Sequence, residues 1–122
     1  MRDCGRVPPE GSEIEHVVHL TDFPCGWGGV WNAGRNLGFG LRWDERVFPW
    51  AWSWAAGKGH GTYPIWGACH TVTLQPSTSP LLPFDQLVAA NQIRWIEGQS
   101  SLETTMSVGF TSTRGEVLAL PH

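Results

Sequence analysis

A chain of 122 residues with a hydrophobic fraction of 41% and a net charge of −3 supplies one domain with a real core and no more. Its eight Lys and Arg are scattered, which argues against a nucleic-acid partner, and no apolar run approaches the roughly 20 residues that span a membrane. Three widely spaced cysteines, Cys4, Cys25 and Cys69, make neither a disulfide framework nor a C-x-x-C metal pair. With no apolar h-region behind Met1, the expectation is a cytoplasmic protein without metal or cofactor.

Fifteen glycines and nine prolines punctuate the chain. Turn signals recur about every 8–12 residues, the rhythm of an all-β antiparallel sandwich. Residues 1–14 predict an irregular lead-in, and residues 15–122 the sandwich itself. Glu15 to Phe23 alternates as a strand, with His16, Val18 and Leu20 on one face and Val17, His19 and Thr21 on the other. Pro24 stops it. A short strand over Val30–Asn32 and a hairpin loop over Asn32–Asn36, with Gly and Asn at positive φ, lead into a strand over Leu37–Trp43.

The chain then reaches Phe48-Pro49-Trp50-Ala51-Trp52-Ser53-Trp54, which holds three of the eight tryptophans. With period two, Phe48, Trp50, Trp52 and Trp54 share one face, and Ala51 and Ser53 the other. Such a wall is either core packing or a platform on which flat rings stack against the apolar face of a sugar. Ala56-Gly57-Lys58-Gly59-His60-Gly61 reads as a flexible loop, and lacks the residue order of a phosphate loop.

Ala68–Pro76 predicts a strand with Cys69, Thr71, Thr73 and Gln75 on one face and His70, Val72 and Leu74 on the other. That placement makes His70 a core histidine. Asp85–Ala90 is the one helical candidate. Strands are expected over Gln92–Ile96, Leu102–Thr111 and Val117–Leu120, with a turn at Glu97–Ser100. His16 and His19, three apart on a strand, face opposite ways and disfavour a shared metal. No Ser-His-Asp or Cys-His pattern is legible.

The order of these pieces resembles the C-terminal part of galactose mutarotase-like proteins, the aldose 1-epimerase superfamily. Leu74-Gln75-Pro76-Ser77-Thr78 resembles that family's (I/L)-E-P-x-(T/S) strand end. Glu97-Gly98-Gln99-Ser100 resembles its P-G-E-S turn. The likeness runs from about Val17 to Phe110 and implies a supersandwich-like β-sandwich, here a partial domain, with a sugar or sugar-phosphate ligand. Active members of that family pair a carboxylate base with a histidine acid. Gln75 stands where the resemblance places the base, and an amide cannot remove a proton. The acid histidine of the family falls upstream of the matched region.

The expected function is therefore carbohydrate binding without catalysis through Gln75. The residues expected to contact the ligand are Gln75, Thr73, Trp52, Trp54, Trp66, Arg42 and His60. A sugar isomerase working through Asp85 or Glu97 is the first alternative. A structural β-domain that self-associates through exposed sheet is the second.

Overall fold

The computed structural model describes residues 5–117. Its elements in chain order are β1 (Glu15–Leu20), β2 (Trp27–Asn32), β3 (Leu37–Arg42), β4 (Trp50–Gly57), β5 (His70–Ser77), α1 (Phe84–Ala89), β6 (Ser107–Thr111) and α2 (Arg114–Val117). The strands make two antiparallel three-stranded sheets, ordered β1-β4-β5 and β2-β3-β6, so the fold is all-β and sandwich-like, and neither sheet closes.

Period two decides which side of each sheet meets the other. On β4, Ala51, Ser53 and Ala55 turn inward, and Ala51 and Ala55 are shut from solvent. Small side chains there leave room for the bulk that β3 brings from the other sheet. Leu41, Trp43 and Ala51 form the buried centre, with Phe23, Phe39, Phe48 and Leu74 packed around them. Leu74 of β5 lies over Gly28 of β2, where an added Cβ would stand 2.5 Å from its Cδ2. Trp43 is fastened by its indole N–H donating to the Phe48 carbonyl at 3.1 Å and by an edge-on contact with Phe23, ring centres 5.3 Å apart.

Phe48 thus departs from the row in which period two puts it. The Val47 and Phe48 amides both donate to the Asp44 carbonyl, which holds residues 44–48 in a turn. The extended run starts only at Trp50, so Phe48 is free to enter the core. In the β2–β3 hairpin it is Asn36, not Gly34, that takes a positive φ, 49°.

The outer side of β2-β3-β6 carries a cluster of glycines among Trp27, Trp31 and Arg42. Gly29, Gly40 and Gly109 stand in register across the three strands, and Gly38 is next to them on β3. Val117 of α2 is buried there between Gly29 and Gly38. An alanine Cβ at Gly38 would overlap Val117 and come within 2.9 Å of Trp31.

Three expected strands differ. Gln92–Ile96 is irregular, because no strand pairs with it. The expected Leu102–Thr111 strand is paired only from Ser107 onward, opposite β3. Val117 closes a helical turn instead of opening a strand, and residues 118–120 lie outside the described residues. α1 occupies Phe84–Ala89 where a helix is expected, anchored by buried Leu87, with Asp85 in its first turn where the helix dipole favours a carboxylate. Residues 5–14 contain no strand or helix, yet they are tied down: the Glu13 amide donates to the Gly57 carbonyl and the Pro8 carbonyl contacts His70.

Candidate functional site

The face of β1-β4-β5 that turns away from the second sheet gathers most of the expected binding residues. Register places Trp52 between His19 of β1 and Gln75 of β5. It places Trp54 between Val17 and Thr73, and Trp50 beside Ser77. Side chains paired this way share one face, so aromatic rings run down the centre with hydroxyl and amide groups along one flank. Both Trp52 and Trp54 are half-buried.

Each central indole is oriented by its own N–H. Trp52 donates to the Ser79 carbonyl at 3.2 Å, and its ring lies 6.4 Å from that of His19. Trp54 donates to Glu15 Oε1 at 2.7 Å. With their one donor engaged, these rings offer a ligand only an apolar face. Gln75 is exposed, and its amide donates to the Thr73 hydroxyl at 2.8 Å. The Gln75 carbonyl oxygen and the Thr73 hydroxyl proton remain as hydrogen-bonding groups beside the rings.

Glu15 joins this face to the loop that follows β4. One carboxylate accepts both the Trp54 indole N–H and His60 Nδ1, the latter at 2.9 Å. His60 Nε2 in turn stands 3.3 Å from the Thr62 hydroxyl. The His60 hydrogen bond, helped by the one from Trp54, holds the Glu15 carboxyl below its ordinary value, against a smaller opposing effect of burial. A carboxylate that takes the proton-bearing Nδ1 fixes the imidazole and leaves Nε2 as an acceptor for the Thr62 hydroxyl.

At the Trp50 end the face runs into an open groove of about 410 Å³, lined by Pro49, Trp50, Thr78, Asn91, Gln92, Ile93 and Arg94. The Arg94 guanidinium donates to the Arg46 carbonyl. Arg46 itself forks onto Asp44 at 3.0 Å and holds that carboxyl below its ordinary value.

Among the expected binding residues, Trp52, Trp54, Thr73 and Gln75 are thus brought together, and His60 reaches them through Glu15. Arg42 is not with them: it lies on β3 of the other sheet, paired with Trp27 and Ser107. Trp66 is in the loop before β5, exposed, at φ +42° and edge-on to Tyr63 with ring centres 5.4 Å apart. His70, expected in the core, is exposed, with Nε2 2.9 Å from the Pro8 carbonyl oxygen. The lead-in reaches that ring at the edge of the sheet, and the core ends before it.

Two residues of the face escape sequence reading. Glu15 and His19 sit on the outward side of β1 by simple alternation, but only pairing with β4 brings them to the tryptophans. Among the described residues no three His, Cys, Asp or Glu side chains stand close enough to hold a metal, and no helix is long and apolar enough to cross a membrane. No protein-family model, curated protein or solved structure matches the chain.

Proposed function

We propose that this protein binds a sugar or sugar phosphate on the outer face of β1-β4-β5. One observation carries the reading: two half-buried indoles, their N–H groups engaged elsewhere, lie in register with Gln75 and Thr73. A pyranose has an apolar C–H face and a rim of hydroxyls. Flat rings suit the face, and a neighbouring amide and hydroxyl suit the rim. The likeness of Leu74–Thr78 and Glu97–Ser100 to galactose mutarotase-like motifs supports the same ligand class. The first lies at the end of β5, in the platform, and the second is a turn closed by the Ser100 amide on the Glu97 carbonyl at 3.1 Å. The free thiols of Cys25 and Cys69 fit a cytoplasmic setting.

The test is a titration with hexoses and hexose phosphates followed by tryptophan fluorescence. Binding shifts the emission, and Trp52→Ala removes most of the response. A silent wild-type protein across the whole panel ends this reading.

The Glu15–His60 pair favours a second reading, sugar anomer interconversion. Asp85 serves the first turn of α1 and Glu97 a turn, so neither expected carboxylate is on the platform. Glu15 instead orients an imidazole whose Nε2, beside the exposed Thr62 hydroxyl at 3.3 Å, is the unprotonated nitrogen that a general base needs. Polarimetry decides: mutarotation faster than buffer, lost in His60→Ala and weakened in Glu15→Gln, is expected. A rate equal to buffer removes catalysis and leaves binding intact.

A further inference from the structure

The edge of the second sheet is left open in a way the other edges are not. β6 pairs with β3 on one side and, among the described residues, with nothing on the other. Natural edge strands are usually guarded by a charge, a proline or a bulge. β5 carries Pro76, and β1 carries Glu15 and two histidines. β2 has no charge, but its Val30, Trp27 and Trp31 are half-buried. β6 reads Ser107-Val108-Gly109-Phe110-Thr111, with no guard, and exposes Val108 by 57% and Phe110 by 72%.

Those two side chains are on the inward face of the sheet, in line with Leu41 and Phe39. The Phe39 and Phe110 rings are 5.7 Å apart, so the core row continues to the edge and stops there uncovered. Met106, next to the strand, is exposed as well.

We infer that β6 is a homodimer edge: two copies pair their β6 strands antiparallel about a two-fold axis at Gly109, making one six-stranded sheet. The sequence of the strand is what selects a second copy over another partner. With Gly109 opposite Gly109 of the other copy, Phe110 falls opposite Val108 and Thr111 opposite Ser107. An aromatic against a β-branched side chain is a favourable cross-strand pair, formed twice by symmetry. No charge meets a like charge. The Phe39–Phe110 row then runs on into Val108 of the second copy, and the isologous contact closes at two chains.

Sedimentation over a wide range of concentrations is the first test. The wild-type protein sediments as a concentration-dependent dimer. Phe110→Asp and Val108→Asp each weaken it about tenfold or more, because a carboxylate then faces an apolar side chain in the new pair. Far-UV circular dichroism verifies that both variants remain folded, as their exposed positions predict. The register is tested separately in a background with Cys4, Cys25 and Cys69 changed to Ser. Val108→Cys chains mixed with Phe110→Cys chains cross-link to each other under mild oxidation. Neither variant cross-links efficiently to itself, because like positions lie diagonally across the axis. A monomer at every concentration, a dimer indifferent to both aspartates, or like-with-like cross-linking overturns the inference.

Discussion

The two sheets bring side chains of opposite size to the core. In β1-β4-β5 the large residues, Trp50, Trp52 and Trp54, face outward and alanines face the core. In β2-β3-β6 Phe39, Leu41 and Phe110 face the core side, and Gly29, Gly38, Gly40 and Gly109 share the outer side with Trp27, Trp31 and Arg42. Each inner layer therefore fits the other: alanine opposite leucine and phenylalanine, as close packing between twisted sheets requires. The contrast separates the core from the proposed binding face. The second sheet supplies the bulk of the core, which leaves the first sheet free to present its rings outward.

Breaking the shared centre should cost most. Trp43 is 3% exposed and fastened at both ends, so Trp43→Ala should destabilise by about 3–5 kcal/mol, read from urea denaturation. Because the platform rests on the same core, its ligand response should fall with it. On the glycine side the seat of Val117 is narrow. Gly38→Ala would press a methyl group onto Val117 and within 3.2 Å of Thr111, and should cost about 1–3 kcal/mol by the same assay. That variant unseats α2 on the far side of the second sheet, and the proposed sugar binding by the first should survive it.

An opposite sign is expected at His16. It lies on the inner face of β1, opposite Ala55, and both ring nitrogens are shut from solvent without a hydrogen-bond partner. Replacing it with an apolar ring, His16→Phe, should stabilise by roughly 1 kcal/mol, since a buried polar group left unpaired is costly. A loss of stability would mean that the site holds a partner for the imidazole.

The smallest effect belongs to Glu15. Its folded value is depressed, so its contribution is present above the ordinary glutamate value near 4.3 and lost as pH falls through the lowered one. Wild type minus Glu15→Gln should therefore show a stability difference of roughly 0.2–1 kcal/mol at neutral pH that vanishes in acid. A difference that grows on acidification would contradict the assigned hydrogen bonds.

Period two was legible wherever a neighbouring strand exists to use it. The β1, β3, β4 and β5 regions and the α1 helix occur where alternation and turn residues place them, within a few residues. Gln92–Ile96 and Leu102–Met106 alternate too, but a strand without a hydrogen-bonding neighbour gains nothing from extension, and these stretches are irregular. Val117 was misread for a related reason. Its β-branched side chain fits a strand, but the notch between Gly29 and Gly38 is filled from a helical turn. At the site, Trp52, Trp54, Thr73 and Gln75 were visible as faces of two strands. The Glu15–His60 pair was not, since the two residues are 45 positions apart and only the β1–β4 register joins them.

The most direct measurement is a two-dimensional NMR map of the eight indole N–H signals during titration with the hexose and hexose-phosphate panel. A platform on the outer face of β1-β4-β5 moves the Trp52 and Trp54 signals first, and leaves Trp27 and Trp31, on the outer side of the other sheet, where they are. If no signal moves, or if Trp27 and Trp31 move while Trp52 and Trp54 stay, the sugar-binding face has been placed wrongly.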